Sequence, residues 1–214
     1  MNLNNKFVIT INRELGSGGR TVGRKLAEKL GVAFYDKVLI KALQKKYNLS
    51  IDEIERFKGR EEGWWADLKR KFTGTDPDIY VKQSGFEPTV LEAEDMFRAE
   101  TEILKDIAEE ESCIIAGRTG FYIFRNHPNH LNVLIQASMP YRVARVARKQ
   151  NISDEAALAE IEKVDQMREN YVNRHTDTSR YDTRNYQIVL SMDELTEDAA
   201  VDVILAYINK MNEK

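Results

Sequence analysis

Residues 7 to 31, FVITINRELGSGGRTVGRKLAEKLG, contain an apolar run, a glycine-rich segment and an amphipathic stretch, in that order. The apolar run predicts a buried parallel strand, and the apolar residues that follow the glycines recur at helical spacing until Gly31. Glycines before a helix let main-chain N–H groups converge on an anion, and the positive end of the helix adds to the attraction. The stretch therefore predicts a strand, a phosphate-binding loop and a helix. An ordinary glycine-rich strand-to-helix turn is the alternative.

The loop departs from the Walker pattern G-x-x-x-x-G-K-S/T, and two registers are compatible with it. In the first register Gly18 is the last glycine, and Arg13 takes the place of the first one. Gly19 then replaces the lysine, and Arg20 replaces the hydroxyl residue. In the second register Gly19 is the last glycine, Arg20 replaces the lysine, and Thr21 supplies the hydroxyl that binds magnesium.

The second register requires fewer substitutions, and it places a magnesium-binding hydroxyl beside the loop that is predicted to bind a nucleotide phosphate. Arg20 would carry positive charge to the phosphates, although its planar fork differs from the point charge of a lysine. The residues predicted to bind the nucleotide phosphates are Gly16, Ser17, Gly18, Gly19, Arg20 and Thr21.

Size and composition narrow the classes of protein. The chain has 214 residues, of which 42% are hydrophobic and 31% charged, so it can form one main domain with a small insert. The net charge of −3 disfavours a broad nucleic-acid interface. Cys113 is the single cysteine and lies in an apolar run, which predicts a buried core thiol. No apolar leader or 18-residue apolar stretch occurs, which predicts a cytoplasmic protein without a membrane partner. Homo-oligomerisation remains open.

Five predicted strands alternate with helices along the chain. After the first strand, they span residues 32–35, 112–116, 131–136 and 186–190. The predicted helices after the loop helix span 37–58, 90–110, 140–149 and 153–175, and a last one follows a capping box of Ser191 and Glu194. This alternation predicts an α/β three-layer sandwich with a five-stranded parallel sheet of the P-loop NTPase type.

Two regions depart from this simple alternation. An insert is predicted at about 40–95; it includes a second capping box, Ser50 with Glu53, and an irregular segment at 59–88. Trp64 and Trp65 in that segment could pack on a nucleobase or form a local hydrophobic contact. The arginine-rich helices at about 140–180 are predicted to form a lid.

Ligands of such sheets bind beyond the carboxyl ends of the strands. Phosphoryl transfer requires two phosphates in line, neutralised oxygen charge and excluded water, and arginines on a closing flap meet these demands. Solvated helix faces are the alternative for each arginine. The candidate substrate-binding residues are Arg13, Asp36, Arg118 and Asp165. The candidate catalytic residues are Arg20, Arg142, Arg145, Arg168 and Arg174.

Five segments together resemble the cytidylate kinase-like family, a P-loop group within the nucleoside monophosphate kinases. They are ITINRELGSGGRTVGRKLAEKLG, FYDKVLI, CIIAGRTGFYIF, LNVLIQASMPYRVARVARKQNIS and IEKVDQMRENYVNRHT. The resemblance implies that the first segment binds the ATP phosphates, and that the Gly-Arg segment with the region after Asp36 faces a nucleoside monophosphate. It also implies that the helices around 142–174 form a lid supplying cations to the transition state.

The chain departs from authentic cytidylate kinases in ways that leave the acceptor open. The P-loop lysine is missing, and the family-typical Gly-Arg-Asp is Gly117-Arg118-Thr119. CMP or dCMP is the expected acceptor, with another small phosphorylatable metabolite as an alternative. A nucleotide-binding module without turnover is the other alternative. Asp165 is expected to support magnesium or the acceptor ribose, or else to pair with Arg168. A zinc site at His127 and His130 lacks further ligands nearby.

Overall fold

The computed structural model describes residues 1–36, 90–117 and 119–212. Its strands are β1 (Val8–Arg13), β2 (Ala33–Asp36), β3 (Cys113–Ala116), β4 (His130–Gln136) and β5 (Ile188–Ser191). The helices in this part of the chain are α1 (Gly19–Leu30), α2 (Val90–Glu110), α3 (Gly120–Ile123), α4 (Met139–Gln150), α5 (Asp154–His175) and α6 (Glu197–Asn212).

The strands form one five-stranded parallel sheet in the order β2-β3-β1-β4-β5, which confirms the predicted fold class. β1 is central and pairs in parallel with β3 and β4; Ile9, for example, lies opposite Ile114 on one side and Leu131 on the other. Continuous apolar strands of this kind are typical of sheets that are covered on both faces. The loop after β1 is therefore held at the middle of the carboxyl edge of the sheet.

Two layers of helices cover the sheet. On one face, apolar residues of α1 and α6 pack against β1 and β4 in a cluster that includes Val22, Ile135 and Ile204, all fully buried. On the other face, Leu134 of β4 packs with Val172 of α5. Because successive side chains of a strand point to opposite faces of the sheet, the adjacent residues Leu134 and Ile135 of β4 pack against different helix layers. This arrangement is the predicted three-layer sandwich.

A smaller apolar cluster joins the glycine loop to α4 and α5. Val146, Ala157 and Ile161 are buried between the two helices, and the partly buried Leu15 of the loop packs against them. Ser153 begins α5 by accepting a hydrogen bond from the Ala156 amide at 3.2 Å. The arginine-bearing helices are thus packed directly on the loop that follows β1.

Most predicted elements agree with the observed ones within a few residues, and Cys113 is a free, buried thiol as expected. The capping box at the last helix is wrong. Ser191 is the final residue of β5, where it pairs with Gln136, and its hydroxyl donates to Asp193 at 2.5 Å. Thr196 caps α6 instead, because its hydroxyl accepts from the Ala199 amide.

Contacts divide the chain into two compact units, Met1–Phe34 with Ser112–Lys214 and Tyr35–Glu111. In the second unit, the Tyr35 hydroxyl donates to Glu111 Oε1 at 2.5 Å. The helix predicted at 37–58 with its capping box, the segment 59–88 and its two tryptophans lie outside the described residues, as does most of the predicted insert. Across 1–36, 90–117 and 119–212, no helix is long and apolar enough to span a membrane.

Candidate functional site

The loop between β1 and α1 has the backbone of an anion-binding turn. Gly16 and Gly18 have positive φ angles of 85° and 87°, a conformation that only glycine adopts without strain. Gly18 is the N-cap of α1 and offers no side chain to the helix, and the first turn contains no acidic residue. The amide groups that open α1 have no acceptor within the helix, and they carry the positive end of its dipole. The loop therefore presents donors to a negatively charged ligand.

Ser17 stabilises the shape of this loop. Its side chain is fully buried, and its hydroxyl donates to the Glu14 carbonyl oxygen at 2.9 Å. The Ser17 amide donates to the same oxygen at 3.3 Å. Because its hydroxyl already donates within the turn, Ser17 holds the predicted phosphate loop in place through its side chain. Arg20 is exposed on α1, and Thr21 beside it is partly buried.

Asp165 of α5 lies at the centre of a buried group of ion pairs beside the loop. One carboxylate oxygen accepts from the Leu15 amide at 3.0 Å and from Arg168 at 3.1 Å. The other oxygen accepts from Arg142 at 2.5 Å, and Arg180 Nη1 lies 3.7 Å from the first oxygen. Three arginines from separate parts of the chain thus share one carboxylate. Of the roles expected for Asp165, the structure shows the pairing with Arg168 and extends it.

Two of these guanidinium groups are deeply buried and incompletely paired. Arg180 is 1% exposed and Arg142 is 6% exposed. Arg142 Nε and the Arg180 Nε and Nη1 atoms find no hydrogen-bond partner among the described residues. The Glu14 carboxylate lies 3.7 Å from Arg142 Nε, too far for a hydrogen bond. Buried charged donors are normally satisfied, and these three N–H groups depart from that rule.

Arg180 was not among the predicted site residues. It donates to Asn12 Oδ1 at 3.2 Å and, more closely, to the Arg13 carbonyl oxygen, which joins it to the end of β1. Arg168 donates to the same carbonyl at 3.2 Å. Burial and the neighbouring Arg180 lower the pKa of the Arg168 guanidinium. No periodic pattern surrounds Arg180 in the sequence, and a basic residue downstream of α5 was its only signal.

Arg145 lies over the start of α1. Its guanidinium donates to Glu197 Oε1 at 2.5 Å, and a Cβ atom placed on Gly18 would lie 3.4 Å from the same guanidinium. Burial opposes ionisation of Glu197, but the hydrogen bond and charge of Arg145 outweigh it and lower the pKa of this carboxyl. A cation and its carboxylate partner therefore flank the loop glycine on the side of α6.

The remaining predicted residues are distributed differently. Arg13 ends β1 and is partly buried at the loop. Arg174 is exposed in the last turn of α5 and makes no ion pair with a described residue. Asp36 is the buried last residue of β2 and belongs to the other compact unit. Arg118 lies outside the described residues.

Binding of Mg²⁺ at this site would require ligand oxygens from the nucleotide. Within residues 1–36, 90–117 and 119–212, no group of three or more histidine, cysteine or acidic side chains could hold a metal ion. Mg²⁺ commonly uses one or two protein oxygens and completes its shell with phosphate oxygens and water. A hydroxyl such as that of Thr21, next to a polyphosphate, fits this mode of binding, whereas a metal site made of protein ligands alone does not.

An open cleft of about 270 Å³ lies beside the Asp165 cluster. Its walls come from α4, α5 and the segment after α5, and include Met139, Ile161, Glu169 and Tyr181. Burial raises the pKa of the Tyr181 phenol, which therefore stays protonated at neutral pH. Arg142 and Asp165 of the cluster also line this cleft, together with Glu162.

Comparison with known proteins agrees with this geometry. The model of the cytidylate kinase-like family matches residues 8–194. A cytidylate kinase from Sulfolobus acidocaldarius is 22% identical over 205 residues, which cover 95% of each chain. The crystal structure of an uncharacterized protein from Eubacterium ventriosum has a TM-score of 0.71 and 26% identity, covering 96% of this chain and 99% of that one.

A more distant solved structure shares the fold. Shikimate kinase from Acinetobacter baumannii, in complex with shikimate, has a TM-score of 0.50 and 15% identity, and the match covers 97% of this chain and 95% of the other. At this identity the likeness concerns the arrangement of strands and helices alone. The fold is therefore that of P-loop kinases.

Proposed function

The chain belongs to the cytidylate kinase-like family, and from this premise we propose that it transfers the γ-phosphoryl group of ATP to a nucleoside monophosphate. CMP and dCMP are the first candidates for the acceptor. The family match, the kinase among its relatives and the anion-binding geometry at the carboxyl edge of the sheet support this proposal.

The strongest support for this proposal comes from two buried arginines with incomplete hydrogen bonding. Arg142 and Arg180 are buried beside the glycine loop with three guanidinium nitrogens lacking hydrogen-bond partners in the described part of the chain. Leaving charged donors unsatisfied in the interior costs stability. A protein retains such donors where a ligand completes them, and phosphate oxygens match the planar fork of arginine. The position next to a loop that presents main-chain amides makes a polyphosphate the fitting ligand.

The loop would bind the nucleotide phosphates, and the arginines of the lid helices would stabilise the transferring group. Amides of the Gly16–Gly19 turn would bind the ATP phosphates, with Thr21 contributing a hydroxyl to Mg²⁺. Magnesium, when bound, supplies neutralising charge to the phosphate oxygens. Arg142, Arg145 and Arg168 would stabilise the charge on the transferring group. Phosphoryl transfer needs little covalent chemistry from the protein, so positioned cations and excluded water are sufficient.

The acceptor would lie on the far side of the transferred phosphate. The family resemblance assigns the acceptor to Arg118 and Asp36, neither of which belongs to the described Asp165 cluster. Arg174, exposed in the last turn of α5, would reach the phosphates through a motion of the lid. Lid motions of this kind accompany substrate binding in many kinases.

A kinase for another small metabolite is a second candidate. The sequence has Thr119 where authentic cytidylate kinases have an acidic residue, and Thr119 is buried with a positive φ of 56° and an unpaired hydroxyl among the described residues. A hydroxyl in place of a carboxylate changes which acceptor groups can be bound. The acceptor panel should therefore include sugar acids and shikimate besides mononucleotides.

Phosphoryl transfer tests the proposal directly. We expect purified protein with Mg-ATP to release ADP when CMP, dCMP or a related mononucleotide is present. Arg142→Met should lower the rate, whereas Arg184→Met, which removes an exposed arginine paired with Asp182, should not. ATP binding measured by calorimetry without turnover of any acceptor would indicate a nucleotide-binding module instead. Absence of both binding and turnover would rule out the proposed function.

A further inference from the structure

The side chain of Arg13 occupies the space beside Gly19. A Cβ atom placed on Gly19 would lie 2.6 Å from Arg13 Cβ and 3.3 Å from Arg13 Cγ. Real Cβ atoms essentially never approach another atom this closely, so residue 19 can carry no side chain while Arg13 is in this position. Gly19 has an ordinary helical backbone as the first residue of α1. Ile135 Cβ lies 3.0 Å from the same point, so space for Arg13 above all, and for Ile135, explains this glycine better than its backbone conformation does.

The other end of the same side chain reaches a second glycine. A Cβ atom placed on Gly117 would overlap Arg13 Nη1. Gly117 follows the last residue of β3 and opens the Gly117-Arg118 segment. The Arg13 side chain therefore runs from the start of α1 to the carboxyl end of β3, across the centre of the sheet edge.

The observed backbone also favours one register of the Walker pattern. Gly18 has the positive φ angle and stands directly before the helix, so it is the last glycine that the loop conformation requires. In this register, the residue at the lysine position is Gly19, and Arg13 stands at the position of the first glycine. Arg20 stands at the hydroxyl position, so Thr21, which the proposed function assigns to Mg²⁺, lies one residue beyond it. The chain thus has an arginine where the motif has its first glycine, and a glycine where the motif has its lysine. These two residues, Arg13 and Gly19, are in contact.

We propose that these two departures are a compensated exchange: Arg13 supplies the phosphate-binding cation of the loop, and Gly19 is a glycine so that Arg13 can fit. This inference rests on the proposed function and identifies a catalytic residue of the same site. Arg13 would contact the transferring phosphoryl group between the ATP-binding loop and the Gly117 segment. Two parallel N–H donors of a guanidinium suit phosphate oxygens.

The surroundings of Arg13 suit this role better than those of Arg20. Arg20 is exposed on α1, while Arg13 is partly buried at the end of the central strand. The carbonyl oxygen of Arg13 accepts hydrogen bonds from Arg168 and Arg180, which fixes its backbone against the lid helices. A cation held in this way needs little reorganisation when phosphate binds, and pre-organised charge is what lowers the barrier to phosphoryl transfer.

Charge removal is the first arm of the test. Arg13→Met keeps most of the aliphatic stem and removes the charge, so the packing around Gly19 and Gly117 should persist. We expect a fall of about 100-fold in kcat with Mg-ATP and the best acceptor, as for other pre-organised transition-state donors. Arg20→Met should cost less than about 10-fold by the same measure, and Arg24→Met, an exposed control on the same helix, should leave kcat unchanged.

Relocating the cation is the second arm. Arg13→Gly combined with Gly19→Lys restores the Walker spacing, and we expect its kcat to exceed that of Arg13→Gly alone by at least about 10-fold. Gly19→Lys alone should lower the melting temperature, because its Cβ atom meets Arg13. In the double variant this penalty should shrink, and the non-additivity in a double-mutant cycle measures the steric coupling.

Calorimetric titration with Mg²⁺ and a non-hydrolysable ATP analogue accompanies both arms. Arg13→Met should weaken binding, and Arg24→Met should not. Wild-type kcat retained by Arg13→Met, a larger loss in Arg20→Met, or no rescue by Gly19→Lys would overturn the inference while the proposed function stands. Wild-type protein that neither binds the analogue nor transfers phosphate would overturn both.

Discussion

The two halves of the sheet bury polar groups in opposite ways. In the amino-terminal half, the Thr10 hydroxyl lies 2.7 Å from both His130 Nε2 and Asn132 Oδ1, and Asn132 is paired further with Asn185 and Gln187. This network is neutral and closed. Burial, with the nearby His127, lowers the pKa of His130 to about 4, so its ring stays uncharged near neutral pH.

The network at the carboxyl edge is charged, and its hydrogen bonds are incomplete. Arg142, Arg168 and Arg180 share the Asp165 carboxylate, and guanidinium nitrogens of Arg142 and Arg180 still lack partners among the described residues. A satisfied neutral network stabilises a core, whereas buried charges with unmet donors contribute little stability of their own. The amino-terminal network therefore stabilises the fold, whereas the carboxyl edge is where the proposed function places an anion that the chain does not supply.

Removing the Asp165 carboxylate should have the largest effect on stability. Asp165→Asn leaves buried arginines without their shared anion, and we expect a loss of about 3–5 kcal/mol in the free energy of unfolding. Asp202→Asn, in an exposed pair with Lys29, should cost less than about 1 kcal/mol. Denaturant unfolding measures both.

An added anion sharpens this prediction. ATP with Mg²⁺ should raise the melting temperature of Asp165→Asn by more than that of the wild type, since phosphate oxygens would replace the lost carboxylate. An equal or smaller shift would indicate that Asp165 is a structural partner only, and would weaken the comparison between the two edges.

Acidification should destabilise the amino-terminal network. The folded pKa of His130 lies below its ordinary value of 6.5, so the unfolded chain binds more protons between these values. Stability from this group is complete above about pH 6.5, falls as the pH drops toward 4, and levels off below it. The shift corresponds to about 3 kcal/mol. His130→Gln should show a correspondingly flatter pH dependence of unfolding.

The same variant tests the separation of the two halves. His130→Gln should leave the affinity for an ATP analogue at neutral pH unchanged, because His130 begins β4 and Gln136 ends it at the opposite edge. A weakened affinity in properly folded protein would contradict a division into a stabilising half and a binding edge.

Substituting two glycines with positive φ angles, one in the loop and one outside it, separates the effect of backbone strain from the effect of a changed loop. Gly16→Ala should cost about 2–4 kcal/mol, because φ is 85° and the new Cβ atom would lie 2.8 Å from the Arg142 carbonyl oxygen. Gly31→Ala, with φ at 66° but open space around it, should cost about 1 kcal/mol. Calorimetry should show lost analogue binding for the first variant alone; equal binding by both would argue against the loop as the phosphate site.

Glu197 provides the smallest and most specific test. Glu197→Gln removes the carboxylate that pairs with Arg145, at a cost in stability of about 1 kcal/mol or less, since the pair is only partly buried. The freed arginine should bind the ATP analogue a few-fold more tightly. Ser191→Ala, outside the site, is the matched control, and a weaker affinity in Glu197→Gln would show that the carboxylate itself supports binding.

The sequence predicts the fold well because local patterns specify it. The apolar run before Gly16 and the helical spacing after Gly19 reappear as β1 and α1. The capping box at Ser191 failed since strand pairing with Gln136 outweighed a local hydrogen-bonding preference. Short-range sequence patterns predict helices and strands, but they fail where pairing with a strand that is distant in the sequence decides the local structure.

The site was less accessible to such reasoning. The recurrence of arginines on the helices after the loop predicted Arg142 and Arg168 as candidates, and the structure pairs both with Asp165. Arg180 and Glu197 come from segments without a motif, and only the folded chain brings them to the loop. The fit of Arg13 beside Gly19 is likewise a tertiary contact between two motif positions, which the spacing of the motif alone does not show.

A crystal structure with an ATP analogue, Mg²⁺ and CMP would show whether the carboxyl edge of the sheet binds nucleotide. We expect the polyphosphate against the amides of Gly16–Gly19, with Arg142 and Arg180 completing its hydrogen bonds. A nucleotide bound elsewhere, or a loop that stays covered while those arginines keep only their carboxylate partners, would contradict it.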